Sequence, residues 1–596
     1  MSEKEESREK CKFQDIVMFL TLFTVRTFSA IYNVIPDADD TFNFWEPTHY
    51  LAFDFGLQTW EYSVEYGLRS YTILVPFAMF AKAMFQLFGG NKVMVFYSIR
   101  ILLAFICSLC ETVFIIGTRK VFSHAVSIVL WLLLLFSSGM YTASTSFVNA
   151  SLAMMSVFLS YGIWMAYDNH FLALLIGAGA VVYDWPFVGV VFIPMGIHCL
   201  MKKGLLRTIL YGVVIVIIIL GLDLLINYHF THRFVIPAIN IVLYNVLGIG
   251  GGPEVTSILY GTEPWYFYLV NGILNNSMIF PLAFLLPISK WSRKQILLFV
   301  CSGYVLLGIF CLQAHKEERF LYITYPLIYL AASITLSSLL LFMQAHISPS
   351  SGQYLISFKI ICSAIPVAFL FIILIPYGCI SGARIASSIH NYSAPLTLYN
   401  HLYSKELGMN STKDVKICVG KEWYRFGSSF FIPSKHQHLV FIKSGFDGLL
   451  PQPFAEGNGT WTIPEHMNNL NQEDLSRYVP ESDCDYLIDQ KLPKQVEPNY
   501  LEDSHFRMVL SLPFLDSTHT AFPYRSFYVS IDDYEKRLKY NPYYLLRRVK
   551  EEDTMKEQEI QVDKDQLVFQ SSEAYLDEEE LSCVCYQEDK STPKLV

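Results

Sequence analysis

The sequence is short of charge. Lysine, arginine, aspartate and glutamate make up 16% of its 596 residues, against roughly 25% in ordinary soluble domains. With 53% hydrophobic residues, that deficit excludes a soluble globular protein and requires a membrane protein. Basic blocks are missing, so nothing indicates nucleic acid as a partner. The net charge of −9 has a local source in the C-terminal tail, at Glu551, Glu552, Asp553 and from Asp577 to Glu580, and it defines no partner. The twelve cysteines show no paired metal spacing, and most lie in apolar runs, where they serve as small core residues. Cys418 and Cys484 lie outside those runs and are candidates for a disulfide in an oxidising compartment. A Walker A loop, a Rossmann glycine fingerprint, a Ser-His-Asp order and a zinc motif are absent, as is any internal repeat. Asp37-Ala38-Asp39 spells the DxD of a nucleotide-sugar transferase, but the chain before 381 offers no α/β domain to hold a nucleotide.

What the chain has is long apolar runs. A helix crosses hydrocarbon in about 20 apolar residues. Runs of that kind predict spans near 14–35, 71–89, 93–117, 121–139, 145–167, 171–200, 205–226, 267–288, 295–313, 322–343 and 356–380, about eleven in all. No small-residue cleavage site follows the first, which reads as an uncleaved signal anchor. Positive charge in short loops sets orientation. A cytosolic N-terminus puts Lys92, Lys202, Lys203, Arg207, Lys290, Arg293, Lys294 and Lys359 on the cytosolic side, with Arg119 and Lys120 against the rule. The same parity places 36–70, 228–266, 315–320 and everything after 380 on the lumenal side.

Sequons at Asn391, Asn410 and Asn458 agree with a lumenal C-terminal domain; those at Asn149 and Asn275 fall in or beside spans and read as unused. The expected organisation is a cytosolic N-terminus at 1–13, a transmembrane module at 14–380, a lumenal α/β domain at 381–550 and a disordered acidic tail at 551–596. Strands are expected at Val415–Val419, His438–Ile442 and Cys484–Ile488. The aromatic-rich 228–266 loop predicts helices lying in the membrane interface.

Three constellations stand out. In the first loop, Asp39 and Asp40 sit just past a span, where burial and each other disfavour their ionised forms. Such a pair can act as a base toward a sugar hydroxyl, hold half a cation site, or cap a helix. Trp45, Glu46, His49, Trp60 and Glu61 favour a sugar site, because aromatic faces and carboxylates hold sugars. The second, His315-Lys316-Glu317-Glu318-Arg319-Phe320, packs five ionisable residues at one boundary. Arg319 can grip a phosphate bidentately, with Lys316 as a point charge and His315 as a donor; a charged loop with snorkelling ends reads equally well. The third is Asp184-Trp185 before Pro186, an acid at a depth where acids are usually functional, on a segment Pro186 would break.

The residues from Asp39 to Tyr50, with Gln58 to Ser63 and Arg69-Ser70-Tyr71, resemble the first lumenal loop of the family 22 mannosyltransferases, and His315 to Phe320 resembles a later signature of that family. Cys418 to Phe426, Phe446 to Phe454 and Cys484 to Asp489 are similar to its endoplasmic-reticulum α-1,2 branch. Asp40 departs from the glutamate expected there, which weakens the division of roles within the pair. The resemblance implies a mostly α, polytopic GT-C fold. It implies dolichyl-phosphate mannose as donor and a dolichyl-diphosphate oligosaccharide as acceptor, in the membrane of the endoplasmic reticulum. The seventh and ninth mannoses of the N-glycan precursor would be added with inversion, hence by single displacement. Asp39 becomes the base with Asp40 as partner or alternative; Trp45, Glu46, Trp60 and Glu61 bind sugar. His315, Lys316 and Arg319 hold phosphate, with Arg69, Asp184, Glu317 and Glu318 in support. No metal or other cofactor is expected. The α-1,6 transferase of the same pathway, a GPI mannosyltransferase and a polytopic transporter are the alternatives.

Overall fold

A computed structural model describes residues 3–248, 259, 261–286, 291–347, 356–408, 413–529 and 533–549; the acidic tail, Asn410 and Lys290 lie outside them. Among the described residues, seven helices are long and apolar enough to cross a membrane. Arg293–Phe299 and Cys301–Leu312, bent by 50°, make an eighth if they count as one span. The count falls below the expected eleven because the runs at 71–89 and 121–139 form the shorter helices Leu74–Leu87 and His124–Leu135, and the run at 267–288 breaks into Phe267–Asn276 and Ile279–Ala283.

Contacts between loops show which helix ends share a face. On one face Arg119 pairs with Asp15 at the start of the first helix, and Lys120 Nζ donates to Ala166 O at 2.6 Å. Lys202 Nζ meets Asp168 Oδ2 at 2.9 Å and Gln295 Nε2 donates to Val121 O at 2.8 Å. Arg119 and Lys120 therefore join the basic face and cease to be exceptions to the charge rule. Lys92 moves the other way. It opens helix α1 (Lys92–Val121), where its backbone N–H donates to Tyr403 Oη at 3.0 Å and its Nζ to Ile432 O at 3.3 Å. It thus lies on the face of the C-terminal domain, because the 14-residue helix Leu74–Leu87 does not carry the chain across. The sixth run is likewise a hairpin, His170–Gly179 and Gly189–Lys203, whose outer ends meet through Asp168 and Lys202. Its break at 180–188 lies near the opposite face, where the Trp185 ring sits 4.6 Å from Phe320.

Small residues let the spans close up. Where α1 crosses α2 (Asn149–Tyr167), a Cβ on Gly162 would meet Phe114 N at 2.7 Å and one on Gly117 would meet Gly162 O at 2.8 Å, the small-residue crossing that membrane helices favour. Arg26 and Glu111 form a fully buried pair, Nη2 to Oε1 2.7 Å, and the same nitrogen donates to Leu134 O at 2.8 Å. With both partners present, neither charge is left bare in the bundle.

Beyond the last long helix, Ile356–Tyr392, the chain forms a mixed five-stranded sheet. In chain order its strands are β1 Val415–Val419, β2 Gln437–Phe441, β3 Tyr486–Gln490, β4 Phe506–Leu515 and β5 Tyr540–Arg548; in space they run β2-β1-β3-β5-β4. The first three match the expected strands within two residues. The last two were not expected, since Pro513 and Pro542, opposite each other in the register, weaken a strand reading. Cys418 and Cys484 form a disulfide between β1 and the residues before β3.

Candidate active site

The loop after the first helix is held from three directions. Asp37 caps a single turn, Ala38–Asp40, its side chain accepting from Asp39 N at 2.9 Å. The turn widens into a π-helical segment, Thr41–Trp45, and then the helix Glu46–Phe53 with Pro47 at its start. Such wide turns re-aim side chains and recur at functional sites. Here Asp37 and Asp39 turn outward while Asp40, Thr41 and Trp45 turn in. At the far end, Ser70 and Thr72 donate to Asp223 Oδ1 at 2.6 and 2.7 Å, and Tyr71 N donates to Asn227 Oδ1 at 3.0 Å. Asp223 therefore anchors the loop to the helix Leu205–Thr231. The C-terminal domain provides the third hold. Thr41 Oγ1 donates to Phe426 O at 2.9 Å, Gly459 N to Tyr50 Oη at 2.9 Å, and Leu57–Gln58 pairs antiparallel with Gln452–Pro453.

The two charged motifs meet. Arg319, on the short helix Glu318–Thr324, places Nη1 2.7 Å from Asp37 Oδ1 and Nη2 2.6 Å from Asp39 Oδ2, and it also contacts Glu317. Arg69 Nη2 lies 3.9 Å from Asp39 Oδ2 and is held by Glu61 at 3.0 Å. One guanidinium thus gathers three carboxylates, 280 residues separating Arg319 from Asp39. Burial pushes the Asp39 carboxyl upward, but Arg319 and then Arg69 outweigh it and hold the group below the usual carboxylate range. Its side chain is 38% exposed, so it is charged and reachable. Asp40 differs. It is 2% exposed, its Oδ1 has no hydrogen-bond partner among the described residues, and burial, then Asp37, push its pKa well up despite Arg319 and Arg100. The adjacent acids are therefore shifted in opposite directions, a separation typical of functional sites.

Other expected residues are placed differently. Trp45, 1% exposed, packs 4.3 Å from Phe96 and 5.1 Å from Phe147, so its face is not open to a sugar. Glu46 is fully buried, accepting from Leu57 N at 2.8 Å, Ser429 N at 2.5 Å and Ser429 Oγ at 2.8 Å. Burial raises its pKa to about 7 against those hydrogen bonds; it is a bracket between loop and domain. Lys316 is 6% exposed, and its Nζ donates to Glu263 O at 2.7 Å and to Gln313 O. Its charge braces the loop rather than facing open space. His315 hydrogen-bonds Glu317 Oε1 at 2.9 Å and Gly261 O at 3.1 Å, and the Glu317 bond chiefly raises its pKa. Trp60 stays half-buried between Tyr66 and Tyr244, beside Glu61. Asp184 lines a narrow cleft with Arg69 and Tyr62, on the site's face of the hairpin break.

Glu318 turns away from the guanidinium and accepts from Asn275 Nδ2 at 2.6 Å, while Asn275 Oδ1 accepts from Arg384 Nε and Nη2 at 3.1 and 2.9 Å. Sequence reading took Asn275 only as an unused sequon and did not single out Arg384, whose surroundings along the chain carry no signal. Of the sequons, Asn391 is fully buried, its Nδ2 on Ser387 Oγ at 3.0 Å and its Oδ1 accepting from Tyr540 Oη at 2.8 Å. Asn458 is exposed on a turn.

Among known proteins, the model of the Alg9-like mannosyltransferase family matches residues 17–433. The chain is 37% identical to the alpha-1,2-mannosyltransferase ALG9 of Mus musculus over 86% of this chain and 85% of that one. It is 36% identical to alpha-1,2-mannosyltransferase alg9 of Schizosaccharomyces pombe over 86% and 91%. Of the solved structures, ArnT from Cupriavidus metallidurans bound to undecaprenyl phosphate superposes with a TM-score of 0.48 at 13% identity, covering 72% of this chain and 85% of that one.

Proposed function

The chain belongs to the Alg9-like mannosyltransferase family, and from that premise we propose that it is an α-1,2-mannosyltransferase of the N-glycan precursor. It moves mannose from dolichyl-phosphate mannose to a dolichyl-diphosphate oligosaccharide in the membrane of the endoplasmic reticulum, with Asp39 and Arg319 facing the lumen. The observation that carries this reading is the junction of Asp39 with Arg319 at 2.6 Å: a charged, reachable carboxylate beside a fixed guanidinium. A base and an anion-stabilising cation are what transfer from a lipid phosphate needs.

In the proposed step the donor phosphate takes over hydrogen bonds on Arg319, releasing the Asp39 carboxylate. Asp39 accepts the proton of the acceptor 2-hydroxyl as that oxygen bonds to C1 of the mannose. The bond from C1 to the phosphate oxygen breaks, and dolichyl phosphate leaves with its added charge against Arg319. A β-linked donor gives an α-linked product by this single inversion. Asp40, buried and with its carboxyl pushed toward the neutral form, disfavours a second negative charge beside the base. Lys316, spent on two carbonyls, holds the loop that presents Arg319.

The test is mannose transfer in microsomes supplied with dolichyl-phosphate mannose. Asp39→Asn should lower transfer by about 10²–10⁴-fold and Asp40→Asn by clearly less; normal transfer by Asp39→Asn overturns the assignment. Lipid-linked glycans of cells lacking the protein should stop at the six-mannose intermediate, and accumulation of the seven-mannose form instead would exclude the proposed acceptors.

A further inference from the structure

A cavity of about 630 Å³ opens between the membrane helices and the C-terminal domain. Asp37 and Ala38 form part of its wall, so it ends at the ion cluster. We propose that this cavity is the acceptor subsite, holding a neutral, mannose-rich arm of the oligosaccharide and presenting its terminal 2-hydroxyl to Asp39. The proposal rests on the mannosyltransferase reading above and specifies where and by which residues the acceptor is held.

Size is the first argument. The volume falls within the roughly 300–1,000 Å³ of ordinary ligand pockets, far more than one transferred sugar needs. Charge is the second. The wall carries Asp37 and Glu318 opposite Arg384, Arg425 and Arg525, and Arg425 is already engaged by Glu422. These charges nearly cancel, so the surface suits a neutral polyhydroxyl ligand better than a phosphate. Serine and tyrosine hydroxyls interleave with apolar residues such as Ile35, Ile385 and Leu396, and Tyr392, Tyr424 and Phe514 contribute rings, a mixed wall that suits a sugar's polar edges and apolar faces, whereas an isoprenoid chain calls for an unbroken apolar wall. Preorganisation is the third. Asn275 fixes Glu318 on one side and Arg384 on the other, while Arg384 Nη1 reaches only as far as Ser526 O at 3.5 Å. Arg525 is held through Nη1 by Ser517 O at 3.0 Å. Arg384 and Arg525 are thus oriented by neutral acceptors and Glu318 by Asn275, so these groups stand ready without rearrangement, the condition for tight binding of a flexible glycan.

The assay uses the full-length enzyme, purified lipid-linked oligosaccharide as acceptor and dolichyl-phosphate mannose as donor, each titrated at saturation of the other. Tyr424 is 42% exposed and Arg525 is exposed, so Tyr424→Ala and Arg525→Ala leave the fold undisturbed. Each should raise the acceptor KM about tenfold, the loss of one or two hydrogen bonds or a stacking contact, with the donor KM unmoved. Ser388→Trp, which projects a ring into the same space, should raise the acceptor KM further. An unchanged acceptor KM in all three variants overturns the proposal, as does a donor KM that rises with it. Failure of the unaltered enzyme to use this donor at all would overturn the mannosyltransferase reading itself.

Discussion

Removing Arg319 should move the acid limb of the rate profile. In Arg319→Gln the Asp39 carboxylate loses a guanidinium nitrogen at 2.6 Å and keeps only Arg69 at 3.9 Å. A unit-charge pair near 4 Å is worth about 1 kcal/mol in water and about 4 at an intermediate dielectric. Asp39 is 38% exposed, so screening pulls the value toward the lower figure, and 1.36 kcal/mol corresponds to one pK unit. The Asp39 pKa should therefore rise. The sign follows from the depressed pKa in the unaltered protein: the base stays ionised until the pH falls through that low value, and the variant protonates earlier. The rate should therefore begin to fall at a higher pH than in the unaltered protein. The overall rate should also drop about 10²–10³-fold, because the leaving phosphate loses its cation. Microsomal transfer from dolichyl-phosphate mannose, measured well below saturation so that the profile reports the free enzyme, reads both effects across the acid range. A uniform loss with the limb in place would show that Asp39 is not the titrating base.

Other expectations follow from the same contacts. Glu46→Ala, which strips the acceptor from Leu57 N and both Ser429 donors, should cost about 3–5 kcal/mol, read by thermal unfolding of the purified protein. Because the folded Glu46 pKa is raised from 4.5 to about 7, its contribution is full below the unfolded value and lost as pH rises through about 7; Glu46→Gln should flatten that slope. Replacing Cys418 and Cys484 by serine opens a loop with a sequence separation of 66 and should lower stability by about 4 kcal/mol, measured by denaturant unfolding under non-reducing conditions. Asn458→Gln should shift electrophoretic mobility as glycosidase treatment does, and Asn391→Gln should not, since Asn391 is spent inside its helix.

The sequence carries the site's two halves in its charge, as clustered acids after the first span and His315 to Arg319 between two spans, but charge density alone reads the second equally as a connector, and only the fold brings Arg319 to Asp39. Its limits have physical causes. A 20-residue apolar window responds to composition, so a short helix that turns back, such as Leu74–Leu87, scores like a span and sends Lys92 to the wrong face. Trp45 and Glu46 look like sugar contacts because residue type does not reveal which way a π-helical turn points. Arg384 and Asn275, 109 residues apart, become neighbours only in the folded bundle. Strands with opposed prolines carry too weak an alternation to announce themselves.

The clamp between the first loop and the C-terminal domain also sets a timetable for biosynthesis. Glu46 and Ser429 are 383 residues apart. At a synthesis rate of about 5–20 residues per second, the loop emerges roughly 20–80 s before the residues that fix it. A nascent chain thus carries its acids, its half-exposed aromatics and an unpaired two-residue edge through most of its translation. Any chain cut before Phe426 would keep its membrane helices but lack the partner that closes the loop. Competence therefore waits on the C-terminal domain, which supplies Phe426, Ser429 and Gly459 to close the loop.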